Sequence, residues 1–182
     1  MEYVTKSELK DLANKVPLTE QATLRKSAET RSPKSATFLS HSSADQEYIV
    51  GAIRLLNNHG AQVYIDKKDQ SLPPYTNSKT AQTLKERIKK SDRFVLLASE
   101  NSKNSRWVPW ELGLADGFKG TRKIAIMPAL DDAKKTSWTE WEYLGIYEKV
   151  VWGKLRNQPK PRWLVWNKEK NTARTLAKWL GG

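Results

Sequence analysis

Four short apolar runs, three of them separated from the next by a helical pattern, constrain this chain more than any other feature. "ATFLS" (36–40), "AQVYID" (61–66), "DRFVLLAS" (92–99) and "RKIAIMPAL" (122–130) read as strands. Between them, "SSADQEYIVGAIRLLNNHG" (42–60) repeats Tyr48, Ile49, Ala52, Ile53, Leu55 and Leu56 at helical spacing. Gly60 supplies its stop, and Ser43 with Gln46 three residues on predicts a capping box at its start. "TAQTLKERIKKS" (80–91) and "SRWVPWELGLADGFKG" (105–120) are the other helical stretches. Strands interleaved with helices imply crossovers, and hence an α/β fold: a central parallel sheet with helices on both faces. After Leu130 the pattern weakens. "KVVWG" (149–153) and "RWLVW" (162–166) can each be strands, and "NTARTLAKWLGG" (171–182) predicts a closing helix capped by Asn171 or Thr172. Residues 1–34 read as an extension, partly helical, that ends near Pro33; residues 35–182 read as the domain.

In such sheets a ligand lies beyond the carboxyl ends of the strands. Those ends are "SHSSAD", "DKKDQSLPPY" and "SENSKNSRW", all polar, and they predict a site along one edge. Several chemistries are excluded there. The chain has no cysteine, which removes disulfides and thiolate catalysis. It has no Gly-rich phosphate loop, no G-x-G-x-x-G and no G-x-S-x-G. Only His41 and His59 exist, so neither a histidine-built metal site nor a Ser–His–Asp triad is expected. His41, with no nucleophile beside it, reads as a histidine on the loop surface.

The apolar runs are too short to span a bilayer and the first residues lack a signal-peptide core, so the expected location is the cytoplasm. The net charge is +12, and residues 151–182 hold eight basic side chains against Glu169 alone. All eight tryptophans lie at or after Trp107, so the second half is basic and aromatic. That combination suits a polyanion or an acidic partner as well as a solvated surface, and no nucleic-acid motif accompanies it.

Glu111 needs its own explanation. At helical spacing Trp107, Leu114 and Phe118 share a side, and Glu111 lies on it. Removing a lone carboxylate from water costs several kcal/mol. Either the side chain turns outward, or it pairs with Lys119 or a backbone amide, or it has a function. Pro109 is tolerated only in a first helical turn, so the helix starts just before it, capped by Ser105 or Asn104. Glu111 then points at the strand-end edge, with Trp107 as a flat wall. A carboxylate beside an aromatic wall suits a sugar's hydroxyls, or positive charge developing on an anomeric carbon.

"ATFLSHSSAD", "VYIDKKDQ" and "SRWVPWEL" occur in the order and spacing of the three boxes of TIR domains, and the last resembles their S-x-W-x-x-x-E-L signature at Ser105, Trp107, Glu111 and Leu112. The chain most resembles bacterial stand-alone members, as in anti-phage defence systems such as Thoeris. The resemblance implies a flavodoxin-like TIR fold and, in catalytic members, cleavage of the nicotinamide–ribose bond of NAD+, to ADP-ribose or a cyclic ADP-ribose. It places the catalytic glutamate on Glu111 and substrate contacts on Ser40, His41, Ser42, Ser43, Asp66, Ser105 and Trp107. It makes NAD+ a substrate and implies no cofactor or metal. The segment 67–78 matches the one such domains use for self-assembly and gating, so the expected partners are NAD+, further copies of the chain, and an effector that senses the product. Two alternatives stay open: a non-catalytic TIR scaffold acting by self-association or protein binding, and a nucleoside deoxyribosyltransferase-like enzyme.

Overall fold

The computed structural model describes residues 1–66, 78–131, 142–156 and 158–181. In chain order the elements are β1 (Glu2–Thr5), α1 (Lys6–Asn14), α2 (Leu18–Thr30), β2 (Thr37–Ser40), α3 (Gln46–Asn57), β3 (Val63–Tyr64), α4 (Ser78–Lys90), β4 (Arg93–Ala98), α5 (Glu100–Lys103), α6 (Trp107–Lys119), β5 (Ile124–Leu130), β6 (Glu148–Gly153), β7 (Arg162–Asn167), β8 (Thr172–Thr175) and α7 (Leu176–Leu180). They build one sheet in the order β3-β2-β4-β5-β1-β6-β7-β8. The β3-β2-β4-β5 part is parallel, with Phe38 opposite Tyr64 and Phe94, and β6 begins parallel to β5. This is the doubly wound α/β arrangement expected, with the connectivity reversing between β2 and β4. Beyond β6 the sheet continues antiparallel through β7 and β8.

The strands of the parallel part are buried on both faces, so successive side chains feed opposite cores. Leu39, Val95, Leu97 and Met127 meet Ile49, Ile53 and Leu56 of α3, Leu9 of α1 and Trp179 of α7. Phe38, Phe94, Leu96 and Ile126 meet Leu84 and Ile88 of α4 and Val108, Leu112 and Ala115 of α6. Phe38 and Phe94 stack with centroids 5.6 Å apart. Each such side chain taken wholly from water stabilises the fold by about 2 kcal/mol. Helices thus cover both faces, and α3 and α6 lie on opposite sides of the reversal.

Residues 1–34, read from sequence as a partly helical extension, contain both α1 and α2 and also strand β1. Val4 lies opposite Ala129 in parallel pairing and Tyr3 opposite Val151 in antiparallel pairing. The α1 start carries a reciprocal cap: the Thr5 hydroxyl accepts from the Glu8 amide at 3.1 Å, and the Glu8 carboxylate accepts from the Thr5 amide at 2.8 Å. Helix α1 lies so close on α3 that a Cβ at Gly51 would overlap the Leu9 carbonyl, which is why a glycine sits inside that helix.

Two local expectations change. The Ser43–Gln46 capping box is absent: Ser43–Asp45 form a 3₁₀ turn, and the Ser42 hydroxyl accepts from the Ala44 amide instead. The closing helix starts later than its sequence suggests. Thr172–Thr175 pair with β7 as a strand, and Thr175 rather than Asn171 or Thr172 caps α7. The stretch 100–103 is a helix whose start is capped by Ser99. Gly60 does sit past α3 with a φ of 93°, a conformation that favours glycine. Among the described residues no helix is long and apolar enough to cross a membrane.

Candidate functional site

The carboxyl ends of β2 and β4 are neighbours, because Ser40 lies opposite Leu96 in the sheet. Just beyond them run two loops, one leading into α3 and the other into α5 and α6. Helix α6 starts at Trp107, and Pro109 occupies its first turn as its missing N–H requires. Ser105 accepts from the Val108 amide at 3.3 Å, so its hydroxyl closes that turn although Arg106 holds the cap position.

Glu111 is 0% exposed. The side it shares is not the one spacing suggested: the buried face of α6 is Val108, Glu111, Leu112 and Ala115, while Leu114 is half-buried and Phe118 is exposed. The carboxylate neither turns outward nor pairs with Lys119, whose ammonium donates to the Ser91 carbonyl at the other end of α6. Its Oε2 accepts from the Ser40 hydroxyl. The first and third sequence boxes therefore meet through a hydrogen bond, across 71 residues of chain.

His41 is buried, 2% exposed, and its Nδ1 lies 3.3 Å from the Leu39 carbonyl oxygen. The surface-loop expectation for it is overturned: the chain turns inward straight after β2. Ser42 is also buried, and Ser43 opens the 3₁₀ turn. Trp107, half-buried, packs against the core cluster that contains Val108 and Leu112, with Trp110 edge-on at 5.3 Å. Asp66 follows β3 and belongs to another group. Its carboxylate accepts from the Tyr64 phenol at 2.9 Å and from the Arg87 guanidinium. Burial, and then the Asp66 charge, push the Tyr64 phenol well above its usual pKa. The expected assembly and gating segment, 67–78, lies outside the described residues except for Ser78.

Sequence reasoning passed over a second carboxylate at this edge. Asp45 is 0% exposed. Its Oδ2 accepts from the Ser99 hydroxyl at 2.6 Å and its Oδ1 from the Asn101 amide at 2.7 Å. The available signal was an aspartate five residues past a strand end, facing the serine- and asparagine-rich "ASENS" that follows the neighbouring strand.

The edge thus carries two buried carboxylates, the Ser40 hydroxyl at the end of β2, the hydroxyls of Ser42 and Ser43 from the loop that follows, and an aromatic side chain on the first turn of α6. Known proteins share this arrangement of sequence. A TIR domain model matches residues 37–163. The chain is 37% identical over 145 residues to the probable 3' cyclic ADP-D-ribose synthase ThsB' of Bacillus cereus (strain MSX-D12), covering 79% of this chain and 74% of that protein. A family match over more than half the chain, on a sheet reversing between β2 and β4, leaves one assignment: this chain belongs to the TIR domain family.

Proposed function

We propose that the chain consumes NAD+ by breaking its nicotinamide–ribose bond and closes the ADP-ribosyl unit into a cyclic ADP-ribose, as a signal in bacterial anti-phage immunity. The observation that carries this reading is the complete burial of Glu111 against Ser40 beyond the strand ends. A protein acting only as a scaffold has no use for a carboxylate whose burial costs several kcal/mol.

The chemistry follows from the substrate. Nicotinamide in NAD+ is a cationic pyridinium and leaves without prior protonation. The electron pair of the carbon–nitrogen bond departs with it, and positive charge spreads over the anomeric carbon and the ring oxygen. A carboxylate held in a dry site steadies that charge with little reorganisation. The Ser40 hydroxyl fixes the position of Oε2. The hydroxyls of Ser42 and Ser43, the His41 ring and Trp107 are the groups we assign to hold the ribose and nicotinamide. In the cyclic product, the 3'-hydroxyl oxygen of the adenosine ribose bonds to the anomeric carbon and its proton passes to solvent. Water in the same position gives ADP-ribose instead. The 3' closure is taken from the Bacillus cereus relative, a probable 3' cyclic ADP-D-ribose synthase. We further assign the protein to the cytoplasm, with self-association promoting activity and a separate effector reading the product.

The test is the mass of the product formed from NAD+ by purified protein, at rising protein concentration. A cyclic product, lighter than ADP-ribose by one water, is expected together with free nicotinamide, and both vanish in Glu111→Gln. No nicotinamide at high, crowded protein concentration overturns the reading.

A further inference from the structure

Asp45 stands where an aspartate normally caps a helix. It is the residue before α3, yet its side chain makes no hydrogen bond to that helix. A good N-cap is worth about 1 kcal/mol. Here the carboxylate makes no bond to the first amides of α3 and is held by another element instead. Both of its oxygens are taken, by Ser99 at 2.6 Å and by Asn101 at 2.7 Å. Ser99 is itself fixed: its amide donates to the Ser102 hydroxyl at 3.1 Å, and that hydroxyl donates to the Leu97 carbonyl at 2.9 Å. The carboxylate is therefore anchored to the end of β4 and the start of α5.

The connection runs back toward the substrate loop. The Asp45 amide donates to the Ser42 carbonyl at 3.0 Å, and the Ala44 amide donates to the Ser42 hydroxyl at 3.3 Å. The segment His41–Ser43 therefore spans two fixed points. At one end Ser40 is tied to Glu111 on α6, and at the other Asp45 is tied to the β4–α5 turn. The two ties cross the point where the sheet's connectivity reverses. We infer that Asp45 is a positioning residue for the proposed reaction, holding the His41–Ser43 loop in register with Glu111 through its hydrogen bonds to Ser99 and Asn101. It touches no substrate; it sets where the loop hydroxyls stand.

The inference rests on the NAD+ reading for its kinetics but not for its structure, and the test separates them. In Asp45→Asn a single oxygen remains to accept, so Ser99 and Asn101 can no longer both donate to this side chain as they do, and the bond that survives has lost its charged acceptor. Exchanging the pair, Asp45→Asn with Asn101→Asp, restores a donor facing an acceptor and keeps Ser99 as donor. Asp45→Asn should raise KM for NAD+ about tenfold, the worth of one hydrogen bond to a charged group, with a smaller fall in kcat. The exchanged double variant should return KM to within about threefold of the parent, allowing for imperfect geometry. Amide hydrogen exchange without substrate should quicken in Asp45→Asn at residues 41–45 and spare β4 and β5, and the double variant should reverse it. Ser99→Ala, which removes one donor and leaves the carboxylate charged and bonded to Asn101, should give the same pattern more weakly. Unchanged exchange at 41–45 in Asp45→Asn, or exchange that quickens equally through α3 and β4, overturns the inference. Localised exchange that the exchanged pair repairs, in a protein that releases no nicotinamide, supports the positioning role and defeats the NAD+ reading alone.

Discussion

The two ends of the parallel sheet treat charge differently. At the carboxyl ends of β2 and β4, Glu111 takes the Ser40 hydroxyl and Asp45 takes a hydroxyl and an amide. At the amino ends, acids meet cations. Glu148, at the start of β6, is gripped by both terminal nitrogens of Arg174 at 3.1 and 2.6 Å. Asp92, just before β4, is paired with Lys123 at 2.8 Å, and the hydrogen bond from that ammonium holds Asp92 below the usual carboxylate range. A hydroxyl or amide orders a carboxylate without cancelling it, whereas a guanidinium cancels it and braces the fold. On the proposed function, the carboxyl-end acids Glu111 and Asp45 serve the chemistry, whereas Glu148 and Asp92 at the amino ends serve stability. Two acids at the carboxyl ends depart from this: Asp66, after β3, is taken by Arg87, and Asp131, after β5, pairs with Lys6 at 3.0 Å.

The comparison breaks first at Glu111. Glu111→Gln keeps the shape and removes the charge, so kcat should fall at least a hundredfold, as for loss of one preorganised electrostatic group. KM should stay within a few-fold and the melting temperature should hold or rise, since a buried charge has been removed. Nicotinamide release and a thermal melt read the two effects. A variant that keeps half its activity would place the chemistry elsewhere.

At the other end the expected signature is opposite. Arg174→Met leaves Glu148, only 10% exposed at its side chain, without its cation. Unfolding free energy should drop by about 2 kcal/mol, the scale of hydrogen bonds to a charged group, with Arg174 itself partly exposed. Nicotinamide release by the folded protein should not change. Urea unfolding beside an NAD+ assay tests both, and a large kcat effect without lost stability would erase the distinction between the ends.

How much of this the sequence discloses depends on whether a residue's role is local. The alternation of strands and helices is local, and it yielded the sheet and its covered faces. Pro109 confines the start of α6, which placed Glu111 near the edge. The face of α6 was displaced by one position, because Trp107, Leu114 and Phe118 are bulkier than Val108, Leu112 and Ala115. Bulk does not select the inside: a helix lying close on a sheet needs side chains that fit the gap. Residues 172–175 look helical in sequence because threonines make good caps, while pairing with β7 overrides that preference. Asp45 was passed over for the same kind of reason. Its local role, capping, is not the role it plays, and its true partners lie 54 and 56 residues away. His41 was expected outside because nothing adjacent in sequence reports the inward turn of the chain after β2.

The smallest expected effect is also at the amino end, and it carries a sign. Lys119 is half-buried, and its ammonium donates to the Ser91 carbonyl just past α4. Burial, and then the nearby Lys123 charge, lower its pKa from the ordinary 10.5 to about 8. The folded chain therefore releases this proton near pH 8 and the unfolded chain near 10.5. Between those values the unfolded state binds more protons, so this group's contribution to stability rises with pH. It is complete above 10.5 and gone once pH falls below about 8. Lys119→Met removes the titration. The parent's stability minus that of the variant should climb between pH 8 and 10.5 and be flat below, by an amount that solvent at the half-exposed ammonium keeps modest. Glu111→Gln, changed at the opposite end, should show the same climb as the parent. A flat difference curve would mean that Lys119 is solvated like a surface lysine, and a climb that disappears in Glu111→Gln would mean that the two ends of the sheet do not keep their charges apart.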